Sequence, residues 1–152
     1  MVRTMEGVEV RPAEERDIEW LVRLAEEFMA GGVPRETRLR ILKENLRRSD
    51  YVLLVAESGS ETIGFVDLWI IEDFVHGSKL GYIQNLYVTP TYRRRGIATS
   101  LLTELIKLSR ERKVCEIHVV TEPNNVAAVR LYKRCGFIKE WLALEKELMN
   151  ET

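Results

Sequence analysis

The run Arg93-Arg94-Arg95-Gly96-Ile97-Ala98-Thr99 decides how the rest of the chain is read. A β-rich segment, Leu80 to Val88, precedes it, and Pro90 marks the turn between them. After it, Ile97, Leu101, Leu105 and Leu108 fall on one face of a long helix. The first turn of a helix has N–H groups without intrahelical acceptors, and the helix dipole favours negative charge there. Gly96 lets the backbone come close to a phosphate, and small Ala98 keeps the approach clear. The donors of residues 94 to 99 then form an anion cradle, to which the arginines add charge. Three arginines alone would equally suit a solvated loop or a nucleic-acid patch. Their place between a strand and an amphipathic helix favours the anion site.

A second motif lies downstream, Asn125-x-x-Ala128-x-x-Leu131-Tyr132-x-x-x-Gly136-Phe137. Ala128 and Leu131 fit a short helix packed on a sheet, Gly136 is a left-handed helix stop, and Phe137 starts a strand. Taken singly, Tyr132 reads as an amphipathic core tyrosine.

Outward from these motifs the chain divides into elements without a linker or repeat. Val8 to Arg11 reads as a strand ended by Pro12. Asp17 caps a helix whose apolar face holds Ile18, Leu21, Val22, Ala25, Phe28 and Met29. Gly31-Gly32 stops it, and a second helix runs from Pro34 to about Arg48. Tyr51–Glu57 and Thr62–Ile71 form a hairpin, with Leu80–Val88 as the next strand of the meander. Val114–Thr121 is a strand, Asn125–Arg134 a helix, and Phe137–Leu148 a last strand. The antiparallel start and the later strand–helix–strand crossover imply an α/β (α+β mixed sheet) fold with helices on both faces.

The 152 residues suit a single domain spanning 1–152, and 45% hydrophobic with 31% charged residues is ordinary for a globular chain and far from a disordered one. No apolar run is long enough to span a membrane and no signal peptide is visible, so a cytoplasmic location is expected. The net charge of −1 argues against a general nucleic-acid binder. Cys115 and Cys135 form no CxxC pair and read as buried free thiols, and His76 and His118 have no ligand spacing, so no metal is expected.

The two motifs resemble those of the GNAT acetyltransferase superfamily. Arg93, Gly96 and Ala98 fill its Q/R-x-x-G-x-G/A signature, and the Asn125–Phe137 stretch matches its second motif at every named position. Leu86-Tyr87-Val88-x-Pro90 resembles the strand end before the signature, and Leu144 to Leu148 the family's last strand. The resemblance covers nearly the whole chain. It implies a mostly antiparallel sheet with a splayed parallel strand pair, acetyl-CoA as co-substrate and a direct transfer to an amine. Pantetheine would be held by the backbone of Leu86, Tyr87 and Val88. The pyrophosphate would be held by Arg94, Arg95, Gly96, Ile97, Ala98 and Thr99, with Arg93 opening the loop. Asn125 and Ala128 would lie along the CoA arm and Tyr132 near the thioester sulfur. A homodimer is a further expectation from the family. A non-catalytic acyl-CoA-binding module would carry the same motifs and is the alternative reading.

Such a transfer has two protons to manage. A lysine-like amine has a pKa near ~10.4, so roughly 4 kcal/mol separates it from its nucleophilic form at neutral pH. Tyr132, with an ordinary pKa near ~10, is the expected acid for the leaving thiolate, and the Val88 N–H the expected donor to the thioester oxygen. For the base, His118, Glu122, Asp67 and Glu72 are candidates, with a water relay as the default. The acceptor site is expected from the first two helices, Phe28–Arg38, and the loop Phe74–Lys79. Phe28, Met29, Trp69 and Phe74 either line it or belong to the core, the core reading being preferred.

Overall fold

The computed structural model describes residues 2–5 and 7–149, with side chains from residue 7 onward. It forms two compact units, Met1–Val119 and Val120–Thr152. In the first unit, strands β1 (Val2–Met5) and β2 (Val8–Pro12) lead into helices α1 (Ile18–Phe28) and α2 (Arg35–Leu46). Strands β3 (Tyr51–Ser58), β4 (Glu61–Asp73) and β5 (Ser78–Val88), helix α3 (Ile97–Glu111) and strand β6 (Val114–Val119) follow. The second unit contains helix α4 (Val126–Arg134).

The strands form one sheet in sequential order, β1 to β6. Every pair is antiparallel except β5 and β6, which are joined by α3 and therefore run parallel. Side chains alternate between the two faces. Leu53, Val55, Phe65 and Tyr87 point to one face and are covered by Leu21 and Leu24 of α1. Leu54, Val66 and Leu68 alternate to the other face and are fully buried. The buried stripe of α3, Ile97, Leu101, Leu102 and Leu105, packs on the sheet there. The mixed sheet with helices on both faces matches the order read from sequence.

Asp17 does not cap α1. Its carboxylate accepts the Glu14 N–H at 2.7 Å and pairs with Arg11 at 2.7 and 2.8 Å, closing a short turn one step earlier. A buried arginine next to a short acid outcompeted the helix end. Strand β1 was not expected, and β6 stops at Val119 rather than Thr121. The expected last strand, Phe137–Leu148, is absent: residues 137–147 form no ladder. Alternating apolar residues are only half of a strand, because its hydrogen bonds come from a neighbour that local sequence does not specify. Cys115 is free but exposed, against the buried reading, because it lies on the edge strand; Cys135 is free and half-buried.

Candidate functional site

The site begins with a fault in β5. Ile83 pairs with Leu68 and Asn85 with Asp67, so Gln84 is an extra residue, a β-bulge. From there the phase of the strand is fixed by one bond. The Thr89 N–H donates to the Ile63 carbonyl at 2.8 Å, which makes Val88–Gly64 a pair without mutual hydrogen bonds. By alternation the Leu86–Val66 pair is of the same kind, whereas Tyr87 is bonded to Phe65. The backbone groups of Leu86 and Val88 therefore point away from β4. On that side β6 has already left, since the parallel ladder ends at Ile83–Val119. A gap opens along β5 from residue 84 to residue 88, bounded on one side by backbone donors and acceptors. Tyr87 does not share it through its backbone. Its ring stacks on Phe28 at 4.9 Å, and its hydroxyl donates to Glu27 at 3.2 Å.

Polar side chains hold the bulge. Asp67 Oδ1 accepts the Asn85 N–H at 2.7 Å, and the Asn85 amide reaches both carboxylate oxygens at 3.3 Å. Tyr51 donates its hydroxyl to Asp67 Oδ2 at 2.6 Å, and Trp69 donates its indole N–H to Gln84 Oε1 at 2.9 Å. Burial pushes the Asp67 carboxyl above its ordinary range, although these donors pull it down. Burial and the Asp67 charge push the Tyr51 hydroxyl up as well.

The gap leads to the arginine loop. Arg93 turns back, donating Nε to the Val88 carbonyl at 2.9 Å with its guanidinium over the Tyr87 ring. Arg94 sits at φ 63° and Gly96 at φ 78°, a kinked path that ends with Gly96 as the N-cap of α3. The first bond of the helix is Ser100 N–H to Gly96 carbonyl. Among the described residues, the N–H groups of residues 94 to 99 have no backbone acceptor, and no atom lies within 4 Å of where a Cβ on Gly96 would be. Arg94 and Arg95 are exposed. Free donors, positive charge and open space suit a phosphate group.

Near the fork of β5 and β6, Tyr82 pairs with His118 in register, and their rings stack at 5.2 Å. His118 Nε2 lies 3.0 Å from Glu116 Oε2. Of the other base candidates, Asp67 is buried in the bulge network, and Glu72 and Glu122 are exposed. Sequence reading missed Gln84 and Tyr82. Adjacent polar residues Gln84-Asn85 inside an alternating strand were the visible sign of the bulge.

Phe28 stacks on Tyr87 but is itself exposed (42%), as are Met29 and, almost completely (96%), Phe74, so the core reading fails for all three. Trp69 packs on Tyr51 at 4.7 Å. The loop after β4 is held by Asp73, which accepts the Val75 N–H at 3.0 Å and contacts His76 at 2.5 Å.

In the second unit, Asn125 caps α4 by accepting the Ala128 N–H at 3.2 Å. Gly136 at φ 97° ends the helix. Its N–H donates to the Lys133 carbonyl and the Phe137 N–H to the Tyr132 carbonyl, both expected of a left-handed glycine stop. Tyr132 stands edge-on to Phe137 at 5.7 Å, and burial pushes its hydroxyl above the ordinary value. Asn125, Ala128 and Tyr132 thus lie on one capped helix, although Phe137 after it starts no strand. Among the described residues no cluster of His, Cys, Asp and Glu could hold a metal ion, and no helix is long and apolar enough to cross a membrane.

A parallel strand pair parts beside a helix start rich in free N–H groups. The chain belongs to the acetyltransferase (GNAT) family, whose profile matches residues 17–137. The aminoglycoside N(6')-acetyltransferase type 1 of Salmonella typhimurium is 26% identical over 109 residues, 70% of this chain and 75% of that protein. Human N-alpha-acetyltransferase 30 is 28% identical over 154 residues, 91% of this chain and 40% of that protein. An uncharacterised N-acetyltransferase of Methanocaldococcus jannaschii is 29% identical over 68% of this chain, which spans about half (48%) of its length. Among solved structures, the aminoglycoside acetyltransferase AAC(6')-Iy bound to a CoA bisubstrate analogue superposes with a TM-score of 0.82 at 22% identity, covering 93% of this chain and 98% of that one. An aminoglycoside acetyltransferase from an uncultured soil sample gives 0.84 at 19% identity, covering 97% and 100%.

Proposed function

We propose that the enzyme moves an acetyl group from acetyl-CoA directly to a primary amine: a small molecule, a peptide N-terminus or a lysine. The observation that carries this reading is the continuity of the gap beside Leu86 and Val88 with the donor cradle of residues 94–99. Pantetheine is an extended chain with amide groups, and the outward backbone of Leu86 with the Val88 N–H forms a strand edge that matches it, the Val88 carbonyl being taken by Arg93. The N–H groups of residues 94–99, with Arg94 and Arg95, take the pyrophosphate. The acyl carbon is the electrophile that acetyl-CoA supplies; everything else is the work of this chain.

The Val88 N–H points into the gap and donates to the thioester oxygen as charge grows on it. Tyr132 stays neutral at physiological pH, the more so because burial raises it, and donates its proton to the departing sulfur. His118, beside Tyr82 where the strands part, takes the ammonium proton through a water. The segment from Phe28 to Arg38 and the loop Phe74–Lys79 receive the acceptor, with exposed Met29 and Phe74 as its apolar contacts.

Calorimetric titration with acetyl-CoA tests the reading, with the double variant Arg95→Glu/Gly96→Asp alongside. Micromolar binding by the wild type, abolished by two carboxylates in the cradle, is the expected result. No binding by the wild type would refute it.

A further inference from the structure

We propose that Asp67 is a positioning residue for acetyl transfer, a latch that holds the β5 bulge and thereby aims the Val88 N–H and the Leu86 backbone into the gap. The proposal rests on the acetyl-CoA reading and adds to it a residue that touches neither substrate. Asp67 lies on β4, opposite the extra residue. Its two oxygens meet the Asn85 N–H, the Asn85 amide and the Tyr51 hydroxyl, and it is buried with 6% of its surface exposed.

The consequence follows from register. If the bulge closed and Gln84 joined the ladder, β5 would run on from Ile83–Leu68, placing Gln84 opposite Asp67 and Leu86 opposite Phe65. Phe65 is the residue whose backbone faces β5. Leu86 and Val88 would then spend their N–H and C=O groups on β4, and Tyr87 would turn its own toward the gap while its ring left the α1 core. The one-residue offset decides which amides the co-substrate meets. A bulge is a local disruption of the ladder, and side-chain acceptors are what keep it in place. Asp67 supplies the acceptor for the Asn85 amide N–H, and the Trp69–Gln84 bond secures the neighbouring residue.

The test compares wild type, Asp67→Ala and Asp67→Asn, by titration with acetyl-CoA and with 3′-phospho-ADP, the nucleotide half of CoA, together with turnover of an accepted amine. Asp67→Ala leaves the Asn85 N–H without its acceptor. It should weaken acetyl-CoA binding about tenfold and lower kcat by at least as much, since both depend on the aimed amides. Binding of 3′-phospho-ADP, which uses only the cradle, should stay within about twofold. Asp67→Asn keeps a carbonyl oxygen for the Asn85 N–H and should recover most of both losses. A folded Asp67→Ala enzyme that binds and turns over acetyl-CoA like the wild type overturns the proposal. So does one that loses acetyl-CoA and 3′-phospho-ADP in equal measure, or an Asn variant as impaired as the Ala variant. If Asp67→Ala does not fold, Asp67→Ser, whose hydroxyl stands one bond short of the position that accepts the Asn85 N–H, makes the same discrimination: selective loss of acetyl-CoA supports the latch, and undiminished binding overturns it. A wild type without affinity for acetyl-CoA would refute the co-substrate reading itself and the latch with it, an outcome distinct from any behaviour of the variants.

Discussion

Tyr132→Phe removes one hydroxyl from a ring that packs edge-on against Phe137 and leaves that packing intact. If the hydroxyl protonates the leaving thiolate, kcat should fall by about 10²-fold or more while KM for acetyl-CoA moves by less than about threefold. Steady-state kinetics read this directly, and an unchanged kcat would take Tyr132 out of the role. His118→Ala makes a different prediction. If His118 is the base, the alkaline-rising limb of the pH–rate profile should flatten. A pH–rate profile of the variant that keeps this limb would hand the proton to another group. At this scale the sequence was legible where a residue type has one use. Gly96 and Gly136 carry left-handed angles at the positions chosen for them. It was poorly legible where a side chain has several uses. Asp17 has the composition of a helix cap, yet a buried arginine recruited it. Asp67 looked no stronger than Glu72 until the bulge showed what it faces.

Among elements, the start of α3 is the most exposed to test. Gly96→Ala forces an L-residue to φ 78°, where a Cβ costs about 1–2 kcal/mol, although nothing nearby would collide with it. For a chain of this size that is a fall of about 3–6 °C in Tm, with acetyl-CoA affinity reduced if the cradle relaxes. Thermal melts with and without acetyl-CoA separate the two effects. Element type was readable in α1 and α3 from one apolar stripe each, and in β3 and β4 from continuous β-rich runs that are buried on both faces of the sheet. Partnership was not. The parallel pairing of β5 with β6 follows from the intervening helix, but the place where they part depends on a bulge that two adjacent polar residues only hint at. The 137–148 segment shows the opposite error, a β-like pattern without a ladder.

Across the molecule, a buried ionic cluster ties separate parts of the first unit together. Arg11 of β2 bonds Asp17 before α1 and Glu57 of β3, at 2.7 to 2.8 Å. The Asp17 hydrogen bond leads in raising the Arg11 guanidinium, so the arginine stays charged throughout. Burial pushes Asp17 up, but Arg11 and the Glu14 N–H outweigh it and hold the carboxyl below its ordinary value. A lowered folded-state pKa means that Asp17 lends its full stabilisation above the unfolded value of about 3.9 and loses it as pH falls through the lower one. Asp17→Asn should therefore cost about 3 kcal/mol at neutral pH, where it leaves a buried cation short of a partner. The gap between variant and wild type should close below about pH 4, and urea midpoints across pH 2–7 would show it. The alternating backbone of β5 has a consequence of its own. Leu86 and Val88 lie in the longest hairpin of the sheet, yet their amide hydrogens have no bond to β4. In deuterium oxide they should exchange like those of a loop, while Tyr87 between them exchanges slowly. Saturation with acetyl-CoA should slow these two amides in particular, so that the co-substrate writes an every-other-residue protection pattern into the strand it completes.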